Sequence, residues 1–520
     1  MIVVVVLASA VIAWWSRDLW FHADIWDPLA MRQIGDPDDL LRPHNGHWQT
    51  PTIIQTRVLY TIAGMDFWPV HYLPRTLWWA LMSIGLWWLM RRRGADPLVA
   101  LGGVAIVSVL ATSFYFQAAH AGALIAIMCT LAAGSMIEAI PQPRARHQFL
   151  LGAVVMAGTA SAGIGVAAMV SLPLALLLLG KLRRWWWPIL AVIAVYGVWF
   201  LRFGSGKTAA TPVRTLIEIP WGVVVNARNA VLAFTGLPVV AAWPVLVVAL
   251  LGVGWLVRRR RVTAFDVIVV VAALVYLALL SRGRQNLHRA AVATITALLL
   301  LPVAIPHIRL QRGWMRPVAA LTLATLTVSH ALRLESRLES RTGAINQARP
   351  VVESMAALIA NGEQFPPELR LSDLTSSQQL TLGGLADLVE DGWDPRPPEA
   401  HSEATVRLRV SFTGRAPEGA APPVLVAGRV NQDGCAVARR GTALAMRVTG
   451  LTKVVVSAQP KPRLEVVWAS NSGSGEASLH TPKRRGSRLY LFGPQQGATI
   501  TLSAPNSGML KVCGVVAEPP

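Results

Sequence analysis

The chain has 520 residues, of which 53% are hydrophobic and 15% charged, and its mean hydropathy is +0.46. Soluble proteins carry about 25% charged residues, so this composition excludes an ordinary soluble enzyme and indicates a polytopic membrane protein. The formal net charge of +20 comes from short basic clusters between apolar runs. That arrangement is typical of the positive-inside rule and argues against nucleic acid as a partner.

The apolar runs predict about eleven membrane-spanning helices within residues 1–333. The run MIVVVVLASAVIAWW at 1–15 is the first, because it lacks the basic start and small-residue cleavage site of a signal peptide. The stretch 149–180 is interrupted by TASAGIG and is predicted to be two short helices. As one long span, it would invert the orientation of everything after it. The other spans are expected at roughly 72–90, 97–114, 119–140, 186–202, 238–257, 265–281, 290–306 and 316–333.

The basic clusters orient these helices. With eleven spans, every dense cluster falls on the cytoplasmic side. The clusters are RRR at 91–93, Arg144/Arg146, KLRR at 181–184, RRRR at 258–261, and Arg309/Arg312/Arg316. The outer face then receives a loop at 16–70, a loop at 203–237 and a turn at 281–289. Everything after residue 333 is expected to be extracytoplasmic.

The extracytoplasmic part changes character along its length. Residues 334–400 predict a helical connector, and 401–520 predict an all-β sandwich, because short alternating runs are separated there by Gly, Pro, Asn and Ser. Cys435 and Cys513 both fall in this exported region, which favours a disulfide between them over two free thiols.

Polar residues collect in the three outer segments. Those in the first loop are Asp24, Asp27, Asp36, Asp38, Asp39, His44, Asn45, His47 and Arg57. Those in the two later segments are Lys207, Arg214, Glu218, Arg228, Arg282, Arg284, Gln285, Asn286, His288 and Arg289. A carboxylate can act as a general base toward a hydroxyl, and cations can hold a phosphate leaving group. Transfer of a sugar from a lipid-linked phosphate needs both at a membrane face.

Simpler explanations exist for several of these residues. Asp36 and Asp38 fit a turn followed by a helix N-cap. The i, i+3 spacing of His44 and His47 fits one helix face and is a weak metal signal, although a carboxylate–His set is able to hold a divalent cation. Arg282 and Arg284 fit interfacial anchors. Asp24 is harder to explain structurally, because it follows the first apolar helix almost at once.

The membrane half resembles the GT-C superfamily, the integral-membrane glycosyltransferases that use polyprenyl-phosphate sugars. The resemblance rests on an acid just beyond the first helix, a large first outer loop, about eleven spans and an exported C-terminal domain. More narrowly, LLRPHNGHWQTPTIIQTRVLY followed by GMDFWPVHYLP is similar to a set of bacterial GT-C-like membrane proteins. It covers about 1–333 and is most specific at 39–75.

The resemblance implies an enzyme of the bacterial plasma membrane. It would move a sugar, with inversion, from a polyprenyl-phosphate-type donor to a cell-envelope glycan or lipid acceptor. Asp24 occupies the place of the catalytic base, with Asp27 and Asp39 in reserve. Related sequences often carry Arg then Tyr after a late outer turn, whereas Arg289 here precedes Ala, so Arg282 and Arg284 share the expected phosphate-binding role.

Two other functions remain open. A transporter or flippase of an envelope precursor would fit the TASAGIG break, but acids within the apolar runs are scarce and no internal repeat is evident. A non-catalytic membrane scaffold could present the sandwich outward. Only the enzyme requires Asp24 and the outer cations to act on one substrate.

Overall fold

A computed structural model gives the fold, which is mostly helical and ends in a region of β-strands. It forms two compact units: a helical unit of Met1–Asp18 and Arg32–Arg341, and a C-terminal unit of Leu19–Met31 and Thr342–Pro520. The residues described are 1–16, 19–21, 25–44, 46–66, 68–105, 120–204, 213–235, 242–247, 251, 262–283, 289–307, 314–362, 365, 367, 380–395, 424–427, 435–439, 443–459, 463–470, 473–480, 487–503, 509–513 and 516–517.

The helices follow the apolar runs of the sequence. They are α1 (Ile2–Ser16), α2 (Trp26–Ala30), α3 (Pro37–Leu41), α4 (Thr50–Ala63), α5 (Leu73–Arg92), α6 (His120–Ala139), α7 (Ala145–Thr159), α8 (Gly163–Leu178), α9 (Leu182–Trp199), α10 (Val213–Thr235), α11 (Ala264–Gly283), α12 (Arg289–Ala304), α13 (Met315–Ala360) and α14 (Leu382–Glu390). π-helical turns occupy Trp68–Tyr72 and Phe200–Gly204, and a 3₁₀ turn occupies Ile305–His307. Residues 97–105 and 242–247 are also helical.

Three of the described helical segments are long and apolar enough to cross a membrane: Ala121–Ala139, Leu182–Gly204 and Ala264–Ser281. Shorter apolar segments are Gly163–Leu178, Thr294–His307 and Met315–Ser329. These segments are compatible with a membrane protein. The expected total of about eleven spans includes stretches outside the described residues and stays a prediction.

The core of the helical unit lies between α6, α7, α8, α9 and α11, where apolar side chains such as Ile137, Leu151, Leu172 and Trp185 are buried. The TASAGIG interruption is the turn between α7 and α8, so 149–180 is two helices, as predicted. A Cβ at Gly165 would lie 1.9 Å from the carbonyl oxygen of Gly158. Only a glycine therefore allows this close approach of the two backbones.

Ion pairs connect three helices at one end of the helical unit. Arg93, just after α5, pairs with Asp266 of α11 at 2.6 Å and with Glu138 of α6 at 3.1 Å. Glu138 also accepts hydrogen bonds from the Thr263 hydroxyl at 2.8 Å and the Phe265 N–H at 3.0 Å. Side chains of Arg93 and Asp266 are 11% and 4% exposed, so the charges are compensated by each other rather than by water.

The predicted basic clusters converge on this same end, called here the basic end. Lys181 Nζ donates to the carbonyl of Ile137, one residue before Glu138, and Arg184 donates to the carbonyl of Pro141. Gln148 of α7 donates to the carbonyl of Arg184. The clusters at 91–93, 144–146 and 181–184 therefore share one end. Arg316 lies 3.7 Å from Asp96, whereas 258–261, Arg309 and Arg312 fall outside the described residues.

Three predicted boundaries differ from the structure. Most of the expected loop at 203–237 is the helix α10, which packs against α11 and α12. Polar residues along α10 lower its hydropathy, and this made it resemble a loop. The expected outer loop at 16–70 contains α4 and contributes 19–31 to the C-terminal unit. The expected boundary at 333/334 lies inside the continuous helix α13, and the two units divide at 341/342.

The strands form one hydrogen-bonded sheet with the order β2-β7-β3-β6-β4-β5, and β1 pairs with β3 and β8. They are β1 (Val424–Ala427), β2 (Cys435–Arg439), β3 (Ala443–Gln459), β4 (Arg463–Ser470), β5 (Gly473–His480), β6 (Ser487–Ser503), β7 (Met509–Cys513) and β8 (Val516–Ala517). Cys435 and Cys513, the pair favoured by the sequence, lie opposite each other on β2 and β7 and form a disulfide.

Replacing Arg93 with Gln is expected to destabilise the protein by about 3–5 kcal/mol, because it leaves the buried Asp266 carboxylate without its counter-charge. The double variant Arg93→Gln/Asp266→Asn is expected to lose less than the sum of the two single variants. Thermal unfolding of the purified protein in detergent measures both effects. Arg92→Gln, at the exposed neighbouring position, is the control. Additive losses in the double variant would contradict the buried ion pair.

Candidate functional site

The acid-rich stretch near residue 36 folds into the short helix α3. Asp36 is its N-cap, since its carboxylate accepts the Asp38 N–H at 2.9 Å. Asp38 is exposed and lies 3.5 Å from the equally exposed Arg202, which follows α9. The simpler sequence interpretation is therefore confirmed for Asp36, which acts as a cap.

Asp39 has local partners as well. Its carboxylate accepts the Gln33 N–H at 3.1 Å and pairs with Arg42 at 3.3 Å. The Asp39 side chain is 22% exposed and the Arg42 side chain 44%, so the pair is partly solvated and contributes modestly to stability. Both contacts hold the carboxylate within its own loop.

Arg32 holds the backbone of this stretch through hydrogen bonds from its guanidinium group. Its guanidinium, 2% exposed, donates to the carbonyls of Asp39 and Arg42 at 2.6 Å each and to that of Pro43 at 3.3 Å. A planar guanidinium can satisfy several acceptors at once, which a lysine ammonium does less well. No sequence pattern indicated Arg32, because its partners are backbone carbonyls, and these do not depend on which residue types stand at those positions.

The motif PHNGHW forms a tight reverse turn. His44 and His47 exchange two backbone hydrogen bonds, both 2.9 Å, and Gly46 between them has φ +80°, which favours glycine. The two histidines thus pair across a hairpin instead of sharing a helix face. His44 is buried, and the ring of His47 lies so close to Gly163 that a Cβ there would be 2.8 Å from Cε1. Asn45 lies outside the described residues.

Two tryptophans fix this turn to the end of α9. The rings of Trp48 and Trp199 stack in parallel with centroids 5.2 Å apart. Trp199 Nε1 donates to the carbonyl of Leu41, and Trp48 Nε1 donates to the Thr50 hydroxyl. Trp199 lies about 22 Å along α9 from Arg184, so residues 36–48 lie at the end of the helical unit opposite the basic end.

This opposite end, called here the acid-loop end, also receives the ends of α11 and α12. Helix α11 starts near Asp266 at the basic end, which places the backbone of Arg282 about 24 Å away along the axis. The backbone of Arg289 begins α12. Lys207, Arg284 and His288 lie outside the described residues. Arg57, on α4, is half-buried with its guanidinium 5.2 Å from the Tyr60 ring centroid.

Buried polar side chains that the sequence did not single out lie around the same loop and the start of α5. His71 is 7% exposed, Arg75 4% and Gln49 5%. Burying an arginine in the first turn of an apolar helix is costly unless its charge is compensated, so such a residue is a functional signal. The run HYLPR containing Arg75 could have been selected on that ground.

Asp27 belongs to the C-terminal unit and is 8% exposed within α2. Asp24 lies outside the described residues. In the segment 19–31 of that unit, Trp20 and Trp26 pack edge-to-face at 5.4 Å, and the Arg349 guanidinium lies 5.5 Å from the Trp20 ring centroid.

Helix α14 packs closely against the end of this segment. Gly384 leaves no room for a side chain, because a Cβ there would lie 2.4 Å from Met31 Sδ and 2.7 Å from the Ala30 carbonyl oxygen. The Thr381 hydroxyl caps α14 and lies 3.3 Å from Met31 Sδ. Contacts with α14 therefore fix the end of α2, the helix that carries Asp27.

The core of the helical unit holds a cavity of only about 10 Å³, lined by residues including Cys129, Thr130, Gly158 and Ser171. That volume suits at most one water and no sugar. Among the described residues, no group of three or more His, Cys, Asp or Glu side chains is placed to hold a metal ion.

No protein-family model, curated protein or solved structure matches this chain.

Replacing Arg32 with Lys is expected to loosen the turn at 36–48, because the compact ammonium matches the spacing of the three carbonyls less well than the planar guanidinium does. Hydrogen exchange of the amides of Arg42, His44 and His47 should accelerate tenfold or more, by the loss of roughly 1.4 kcal/mol of local stability. Mass spectrometry of peptides covering 38–48 measures this. Arg42→Lys, which keeps a charge opposite Asp39, should leave the exchange nearly unchanged; equal effects would rule out a special role for Arg32.

Replacing Gly384 with Ala is expected to displace segment 19–31, because the added Cβ meets the backbone of Ala30. Peptides covering 19–31 should exchange faster, whereas those from α7 and α9 should not. Gly85→Ala is the matched control, since no atom lies within 4 Å of its added Cβ. Unchanged exchange at 19–31 would mean that α14 does not hold the segment.

Proposed function

We propose that this protein is an integral-membrane glycosyltransferase of the GT-C type. It transfers a sugar from a polyprenyl-phosphate-type donor to a cell-envelope glycan or lipid acceptor at the outer face of a bacterial plasma membrane. The observation that carries the proposal is the polarity of the helical unit: described basic clusters converge on one end, and the acid-rich loop lies at the other.

The distribution of basic residues gives the helical unit an orientation in the membrane. Basic residues flanking short loops are retained on the cytoplasmic side, so the basic end is assigned to the cytoplasm. The acid-loop end, with the backbone of Arg282 and Arg289, is then assigned to the outer face. Lipid-linked sugar phosphates present their charged groups at such a face, and a carboxylate with nearby cations supplies the chemistry that transfer requires.

Three of the described acids suit the role of general base less well than Asp24. Asp36 caps α3, Asp39 is held by Arg42 and Gln33, and Asp27 is buried in α2. Each of these has a structural role or limited access. Asp24 also occupies the place that the family resemblance gives to the base, so it is proposed to take the proton from the acceptor hydroxyl.

The cations are proposed to hold the donor. Arg282, Arg284 and Arg289, with Lys207 and His288, would bind the phosphate and stabilise its charge as the sugar leaves. His44, Asn45, His47 and Arg57 are proposed to shape the sugar-binding surface beside them. A divalent cation is compatible with this chemistry, but no ligand set is assigned to it.

The proposed architecture is the full GT-C-like one, with about eleven spans and an exported β-sandwich. Support for the sandwich comes from β3 and β6, whose two halves have different neighbours: the first half of β3 pairs with β1 and the second half with β7. Strands that change neighbours in this way can pass between two packed layers. A carbohydrate-binding-like role for that domain is proposed by analogy.

Asp24→Asn is expected to lower the transfer rate by roughly 100-fold or more, because an amide cannot accept the proton of the acceptor hydroxyl. The protein is placed in nanodiscs with a panel of polyprenyl-phosphate sugars and an envelope-glycan acceptor, and released polyprenyl phosphate is measured. Asp36→Asn is the matched control, since asparagine caps a helix as well as aspartate does.

Two results would contradict the proposal. One is a folded wild-type protein that releases no polyprenyl phosphate from any donor in the panel. The other is full activity of both Asp24→Asn and Asp27→Asn. Movement of intact lipid-linked precursor between leaflets, without release of polyprenyl phosphate, would support the transport alternative.

A further inference from the structure

Four arginines form a cationic patch at the basic end, where α7 and α9 begin. Arg144 and Arg146 start α7, Arg183 and Arg184 start α9, and all four are exposed. The two helix starts are fixed side by side by Gln148, which donates to the Arg184 carbonyl at 2.7 Å and accepts from Trp187 Nε1 at 2.7 Å. The patch therefore belongs to one rigid surface and not to two separate loops.

Among the described residues, no carboxylate balances the charge of the patch. Within the described residues, none of the four arginines forms an ion pair, and the segments 139–150 and 179–190 contain no Asp or Glu. Arg93 and Arg316 at the same end do have carboxylate partners. Cations at helix N-termini are also unfavourable, because the helix dipole is positive there. Four arginines at two such termini would be stabilised by an external anion.

Exposed apolar side chains continue from the patch along both helices. Phe149 and Leu150 on α7 are 71% and 51% exposed, and Trp186 and Leu190 on α9 are 52% and 54% exposed. They lie within about two turns of the arginines. A ligand with an anionic head and apolar chains would match a cationic patch followed by exposed apolar side chains. Basic sites between membrane helices are known to bind anionic lipid headgroups.

We propose that the cationic patch binds the headgroup of an anionic phospholipid, with its acyl chains along the exposed face of α7 and α9. Four arginines suit a diphosphatidyl lipid such as cardiolipin better than a singly charged one, because each phosphate can then meet two guanidinium groups. The inference uses the membrane orientation argued above but not the transfer reaction. The site lies at the end opposite the proposed donor-binding end.

The test is the thermal stability of the full-length protein in neutral detergent with added lipid. Cardiolipin is expected to raise the melting temperature by roughly 3 °C or more, phosphatidylglycerol by less, and phosphatidylcholine hardly at all, since a ligand that binds only the folded state stabilises it. The readout needs no glycosyl transfer, so it fails or succeeds independently of the proposed enzymatic activity.

Arg146→Gln/Arg183→Gln is expected to abolish most of the cardiolipin shift, and Arg146→Lys/Arg183→Lys to keep part of it. Arg91→Gln/Arg92→Gln removes the same charge from α5 at the same end and should keep the shift. Circular dichroism in the absence of lipid shows that each variant is folded. An equal shift with phosphatidylcholine, an unchanged shift in the Arg146/Arg183 variant, or equal losses in the two Gln pairs would overturn the proposal.

Discussion

The pairing of Arg93 with the buried Asp266 and the partly exposed Glu138 is the interaction on which the rest of the helical unit depends. It joins the ends of α5, α6 and α11 at a single level. Because breaking one partner of such a group leaves an uncompensated buried charge, the three helix ends cannot slide past one another cheaply. The relative positions of these helix ends along their axes also fix the positions of the opposite ends, one helix length away. The acid-rich loop lies there, against α9.

The loop at that far end is held by contacts of a different kind. Arg32 gathers three carbonyls, Trp48 stacks on Trp199, and Gly163 admits the ring of His47. None of these contacts uses the carboxylates of Asp36, Asp38 or Asp39 as its main support. The loop can therefore present its acids at the surface while its backbone stays fixed, which suits a surface that binds a substrate.

Sequence patterns predicted the parts that depend on local composition. Apolar runs located α5, α6, α9 and α11 closely, the TASAGIG break separated α7 from α8, and two cysteines in one strand-rich region indicated their pairing. Contacts between residues far apart in the sequence could not be predicted from local composition. Nothing local in WFHADIWDPLAM reveals that it packs on Gly384, and the amphipathic helix α10 lacked the hydropathy that marks a span. The Asn45-Gly46 pair did carry a turn signal that could have been used.

The packing of segment 19–31 against α14 has a consequence for biosynthesis. Met31 and Thr381 are 350 residues apart in the chain. At about 5–20 residues per second, roughly 20–70 s separate their emergence from the ribosome. During that time Ala30 and Met31, which lie against Gly384 and Thr381 in the finished fold, lack these native partners. The segment that also carries the buried side chains of Trp20, Phe21 and Trp26 therefore reaches its final packing only late in the synthesis of the chain.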